Sequence, residues 1–374
     1  FGFKSRVLGD VYKRQTLDGV ADDWPINYWD LEPYYNFNDT MLGVSGLAGD
    51  PANPPRPERP TPPLPLGKMG HTLAKGFEKL GWHWWVSDHG IISEPYRDRS
   101  PCMLHGKGMF GCPMGAKATT DRTYWPLAID KGAEIRTCSR VKEVTVSKDG
   151  KASGALYFDK QGDLQEIKAK VVVVCCNGIG TPRLLLNSKS NLFPDGLGNS
   201  NGLVGKNFMT HPTHFINGVF EETMDSHIGP MGSPLFSQEF YETDESRGFK
   251  RGYMLIGERT FGPLFQARDL PWGKNHHEEF DKIFPHQAGL TVVADDLPEE
   301  TNTVTLDENK VDSNGIAAAK VTYSLSENSK KMLEHAVEKS TEALKAAGAK
   351  EVIVPPPTNL AHLMGTARMG TDES

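Results

Sequence analysis

The chain is poor in cysteine, with five in 374 residues, too few and too scattered for a disulfide framework to hold the fold. It has no apolar run near the roughly 20 residues needed to cross a bilayer, no internal repeat and no low-complexity tract. Charge of one sign is never concentrated: 41 Lys and Arg are spread among 48 Asp and Glu, for a formal net charge of −7. Nucleic acid, gripped through its phosphates, is therefore not an expected partner. No serine stands in a GxSxG elbow, which argues against the common hydrolase arrangement. The adjacent histidines of Asn275-His-His-Glu-Glu279 would point apart on a strand and chelate poorly on a helix. That stretch is expected to be a solvated loop, and no metal site is assigned.

What is present is concentrated in Val171-Val-Val-Val-Cys-Cys176. A β-branched run without charge reads as a strand buried on both faces, with Cys175 and Cys176 as small core residues. It closes at Asn177-Gly-Ile-Gly180, where glycines let the backbone turn or approach a ligand. Thr181 is expected to cap the next helix, with Pro182 at its first position. Strand, glycine turn and helix N-terminus make a ready site for an anionic group such as a pyrophosphate. Arg140–Val146, Ala155–Phe158 and Leu164–Ala169, joined by Asp/Gly turns, form an antiparallel β-meander leading into that run. A nicotinamide domain would reach the same strand through a helix. A meander suits the flavin version of the dinucleotide fold.

Elsewhere, residues 16–50 read as an extended approach rich in Trp and Tyr, and the proline-dense stretch Pro51–Pro65 as an extended surface connection. Met69, Leu73, Phe77 and Leu80 predict an amphipathic helix over 68–80, ended by Gly81. Residues 82–115 read as loop and 116–130 as helix. Gly106–Gly111 matches GxGxxG by letter, but no strand leads into it and Pro113 follows, so a covering loop is expected. Cys102 and Cys112 flank it and could pair only in an oxidising compartment. Phe215–Phe220, Gly289–Val293 and Thr303–Leu306 read as antiparallel strands. Ser324-Leu-Ser-Glu327 has a capping-box pattern, and its helix runs through Met332, Leu333, Val337 and Leu344 to Gly348.

Five segments in order carry a resemblance. They are Asp22–Tyr35 with Gly43-Val-Ser-Gly46, Gly111–Lys117 with Tyr124–Ala128, Asn177–Ser188, Val204–His211 and His362–Gly370. With these the chain resembles the glucose–methanol–choline (GMC) family of FAD-dependent oxidoreductases, in the branch of gluconate, fructose and glucose dehydrogenases and pyranose oxidase. The resemblance implies an α/β protein: an FAD-binding dinucleotide fold with β-meander, plus an α+β substrate domain with an antiparallel sheet. Residues 16–115 would be flavin lid and covering loops, 116–205 part of the FAD domain, 206–355 the substrate domain, and 356–374 the return to the FAD domain. It implies FAD as cofactor, a small alcohol or sugar as substrate, and an electron-accepting partner subunit.

The same resemblance makes His362 the catalytic base, since imidazole accepts a hydroxyl proton near neutral pH. It places Val141, through its backbone, and Asn177, Gly178, Gly180 and Thr181 at the cofactor, and gives His211 a packing or supporting role. Some sugar dehydrogenases of the family hold an iron–sulfur cluster on four cysteines near the covering loop. Here only Cys102 and Cys112 stand there, so no cluster is expected. The family's opening GxGxxG strand and its closing segment, with a second catalytic Asn or His, have no counterpart, and the chain reads as an internal portion. Residues 7–15 fit no family segment. Two alternatives stay open: an NAD(P)-dependent oxidoreductase using the Gly178–Gly180 turn, and an inactive portion of the fold.

Overall fold

Near-continuous burial marks Gln287–Ala294 as a central strand, since only a strand covered on both faces and both edges can carry so little polarity. The computed structural model describes residues 16–371 apart from 17, 107, 231, 261 and 357; residues 7–15 lie outside the described residues. The strands are β1 Trp85–Val86, β2 Arg140–Val146, β3 Ala152–Phe158, β4 Leu164–Lys168, β5 Met209–Val219 and β6 Leu235–Ser237. They continue as β7 Tyr253–Glu258, β8 Gln287–Ala294, β9 Thr303–Val311, β10 Ala317–Thr322, β11 Glu351–Ile353 and β12 Thr358–Met364. A seven-stranded sheet has the order β1-β6-β7-β8-β5-β11, with β12 also on β5. Every pairing in it is antiparallel. The strands expected around Phe215, Gly289 and Thr303 are thus present, the last in a separate β9–β10 hairpin.

The two faces of the large sheet differ. Ile216, Leu235, Leu255, Leu290 and Val292 point to one side, where helices Gly67–Leu80 and Glu327–Ala347 cover them. Met69, Leu73 and Phe77 recur at helical spacing and are fully buried there, as the sequence predicts. The helices meet closely because Gly76 has no side chain: a Cβ there would lie 2.8 Å from the Ala343 carbonyl oxygen. Both helices end in a left-handed glycine, Gly81 and Gly348. The second starts two residues later than the capping-box reading. Ser326, not Ser324, accepts the Ser329 N–H, while the Ser324 N–H donates to Asn302.

The meander is present as the three-stranded sheet β2-β3-β4. The run that follows it corrects the sequence reading. Residues 171–176 form no strand, Val171 and Val173 are 74% and 78% exposed, and Cys175 and Cys176 are exposed. A β-branched run is buried on both faces only between paired strands, and among the described residues nothing pairs with it. Residues 116–130 form two short helices, Thr120–Thr123 and Trp125–Asp130, rather than one. The Asn275–Glu279 stretch starts a helix, His276–Ile283, because His276 is buried against Trp272 and bonds the Pro271 carbonyl. Pro51–Pro65 is extended but not wholly at the surface: Arg59 is buried between Asp39 and Asp88, and Leu64 lies in a satellite core. The protein is therefore mixed α/β, with antiparallel sheets.

Phe77 fills the centre of the helix–sheet core. Phe77→Ala is expected to cost about 3–5 kcal/mol, read as a lower urea midpoint, whereas Leu264→Ala at an exposed position should shift it by less than about 0.5 kcal/mol. Equal midpoints for the two variants would refute this placement of the core.

Burial pushes the Glu258 carboxyl up to about 7, partly offset by a hydrogen bond from Thr291 and by neighbouring Arg259. Its folded value lies above its unfolded one, so the folded state holds the extra proton and stability should fall as pH rises from about 4.5 toward 7. Glu258→Gln should flatten that slope in denaturation curves taken across the window.

Candidate active site

His362 lies on β12, and its position follows from how that strand meets β5. Ala361 is opposite His211 and Met364 opposite Met209, so β12 takes three steps where β5 takes two. The extra residue is a β-bulge, a device that re-aims a side chain at a strand edge. His362 has φ 58°, the left-handed region that a non-glycine residue enters only when its surroundings hold it there. The bulge sets its ring edge-on to that of His211, with centroids 5.4 Å apart and planes at 82°.

His211 is itself fixed. Its Nδ1 stands 3.0 Å from the Ala294 carbonyl oxygen, which can only accept, so Nδ1 carries the proton and donates. The neighbouring Thr210 N–H donates to Asp296, whose carboxylate also accepts from Tyr323 and Ser329. Asp295 pairs with Arg251 at 3.1 Å and lines a small cavity with His211, Tyr241, Met254 and Val293. Partial burial, and then proximity to His211, hold the His362 pKa below the ordinary histidine value of 6.5. The ring is therefore neutral near pH 7 and able to accept a proton.

The segment after His362 docks on the helix Asn177–Asn187. Thr366 donates its hydroxyl to the Gly178 carbonyl at 2.7 Å, and its own carbonyl accepts the Gly205 N–H at 2.8 Å. A Cβ on Gly178 would lie 2.6 Å from the Leu363 carbonyl group, so only glycine permits this contact. The structure thus brings Gly178 and the His362 segment to one corner.

The helix begins at Asn177, earlier than expected, with Thr181 and Pro182 inside it. Asn177, at φ 60°, accepts the N–H groups of Ile179 and Gly180 on its own side-chain oxygen, and Thr181 accepts that of Cys176. These amides are satisfied internally. Val141 is on β2, an edge strand of the meander, and its side chain is exposed. The helix C-terminus meets the same strand where Ser188 accepts the Val144 N–H.

The GxGxxG stretch is no strand-to-helix turn. Gly106 bonds Gly229 and a single 3-10 turn follows at Gly108–Phe110, over a cavity lined by Cys102 and Cys112, neither of which is in a disulfide. Among the described residues no group of three or more His, Cys, Asp or Glu could hold a metal ion. Sequence reasoning gave His211 only a supporting role. The contact it missed joins residues far apart in the chain through a strand pairing that no local pattern announces.

Residues 66–213 match the family described as GMC oxidoreductase. The chain is 43% identical over 370 residues to 2-methyl-1,2-propanediol dehydrogenase of Mycolicibacterium austroafricanum, covering 95% of this chain and 66% of that protein. It is 27% identical to the fructose dehydrogenase large subunit of Gluconobacter japonicus, covering 98% and 68%. It is 25% identical over 300 residues to long-chain-alcohol oxidase FAO3 of Arabidopsis thaliana, covering 75% and 35%. The chain spans about two thirds of the length of the first two relatives. Likeness sustained at that level along nearly the whole chain leaves one conclusion: the chain belongs to the GMC oxidoreductase family.

Proposed function

We propose that this chain supplies the base and part of the cofactor-facing wall of an FAD-dependent oxidoreductase that oxidises a CH–OH group of an alcohol or sugar. The observation that carries the reading is the bulged His362, kept neutral beside a fixed His211 and tied within a few residues to the Gly178 corner. The names of the relatives point to the same bond: a diol dehydrogenase, a fructose dehydrogenase and an alcohol oxidase. FAD, when bound, would supply the acceptor for hydride from the carbinol carbon. His362 would take the hydroxyl proton, and His211, its Nδ1 held by Ala294, would set the basicity of that ring.

The residues present suit the nucleotide half of FAD unevenly. Val141, on an edge strand with its side chain in solvent, leaves backbone within reach of an adenine edge. Asn177, Gly178, Gly180 and Thr181 would meet the cofactor as a wall rather than as a phosphate grip, because Asn177 and Thr181 already hold the nearby amides. An electron-accepting partner subunit belongs to the same proposal, by likeness to a relative named as a large subunit. The nicotinamide reading loses support at the meander: between residues 131 and 176 the described chain has strands and turns but no helical crossover.

The purified protein should be yellow, with flavin absorption that bleaches when an alcohol substrate is added. A colourless protein that turns over with NAD would overturn the reading. His362→Ala is expected to lower kcat by about 10²–10⁴-fold with a smaller change in KM. The base form of His362 exists above its pKa, so kcat/KM should rise with pH through an acid limb below 6.5 and level off by neutrality. His211→Asn removes the neighbouring imidazole and should move that limb to higher pH. An unmoved limb would show that His211 does not tune the base.

A further inference from the structure

Cys102 and Cys112 lie on two sides of one backbone bracket. The Cys102 N–H donates to the Ile92 carbonyl, and the Ile92 N–H donates to the Ala116 carbonyl. Both cysteines pack on the satellite core of Leu64, Ile91, Ile92 and Ala116, and both line the same cavity of about 30 Å³, room for about two water-sized groups. Both are partly accessible, and neither is in a disulfide.

Their surroundings are unequal. The chain after Cys112 turns back on itself, the Gly115 N–H donating to the Cys112 carbonyl at 3.2 Å. Burial opposes the Cys112 thiolate, but the backbone N–H groups of Lys117, Met114, Ala116 and Gly115 nearby outweigh it and hold the thiol pKa below its usual value. Cys102 receives one such donor, Leu104 N–H at 3.4 Å, and burial pushes its thiol up. The cavity also contains His105 and Lys117, and the Lys117 ammonium donates to the Gly108 carbonyl at 3.3 Å.

We propose that Cys112 and Cys102 form a thiol-oxidation site, with Cys112 as the nucleophile toward a hydroperoxide and Cys102 as the resolving thiol. In the first step the Cys112 thiolate attacks the peroxide. An S–O bond forms, the O–O bond breaks, and the leaving oxygen departs as alkoxide (hydroxide from hydrogen peroxide) and is protonated to an alcohol or water, so that Cys112 becomes a sulfenic acid. In the second, the Cys102 sulfur attacks the Cys112 sulfur. An S–S bond forms, the S–O bond breaks, and a second water leaves. Two thiols are oxidised and one hydrogen peroxide is reduced to two waters; a dithiol reductant reverses the change. The product covalently closes the loop 102–112. The reaction uses only cysteine and peroxide, so it stands or falls apart from the flavin reading.

The test is peptide mapping of the whole protein after limiting hydrogen peroxide. Trypsin cuts after Lys107, between the two cysteines, so the disulfide joins two otherwise separate peptides. The cross-link should form before Cys138, Cys175 or Cys176 is modified, and dithiothreitol should remove it. In Cys102→Ser, a dimedone-reactive sulfenic acid should accumulate at Cys112; in Cys112→Ser, none should form at Cys102. Without peroxide, iodoacetamide should label Cys112 about tenfold faster than Cys102. Oxidation beginning at Cys138, Cys175 or Cys176 with Cys112 still reduced, or equal labelling of Cys102 and Cys112, would overturn the proposal.

Discussion

The site depends on one long-range interaction, the antiparallel pairing of β12 with β5. β5 serves three partners: β8 along one edge, and β11 and β12 in succession along the other. Its pairing with β8 fixes the register of the sheet face, and its pairing with β12 fixes where the bulge falls. A slip of one residue on β12 would turn His362 away from His211. The segment is pinned beyond the bulge as well, because Thr366 bonds both Gly178 and Gly205. The position of His362 is therefore set by strand pairing on one side and by the Thr366 hydrogen bonds on the other.

The sheet itself is held from its other face. The helices Gly67–Leu80 and Glu327–Ala347 bury the residues of β5, β7 and β8 that point toward them, and that packing supplies most of the apolar burial. The opposite face carries Phe236, Met254, Ile256 and Val293 with buried polar residues such as Thr291. One face thus stabilises and the other presents. A rigid sheet between them would suit the proposed base, which would have to hold its position to within a fraction of an ångström.

What was legible in the sequence follows from the range of the forces involved. The helix bearing Met69, Leu73 and Phe77, the three meander strands and the helix ending at Gly348 are set by local periodicity and turn chemistry, and they are where the pattern places them. The Val171–Cys176 run misled because its composition reports what a strand prefers, whereas burial requires partners, and the described residues provide none. Asn177 and Thr181 read as candidates for holding a ligand. Their short polar side chains satisfy the first turn of their own helix, a local use that the letters do not announce. The pairing of His211 with His362 was illegible because it arises only when strands far apart in sequence are brought into register. His362 itself was singled out through family likeness, not through any physical pattern around it.

A left-handed histidine on a bulge costs roughly 1–3 kcal/mol in backbone strain. No packing need explains it: the ring is exposed on one side and does not belong to a hydrophobic cluster. Strain that contributes nothing to the core but delivers an imidazole beside a second, anchored imidazole is best explained by the position of that ring. The surroundings that hold it, the flanking pairings of Ala361 with His211 and Met364 with Met209 and the Thr366 contacts beyond, act through backbone pairing and hydrogen bonds that do not depend on the charge of the ring. The ring can therefore gain and lose a proton without releasing the strand that carries it, which the proposed role as a base would require.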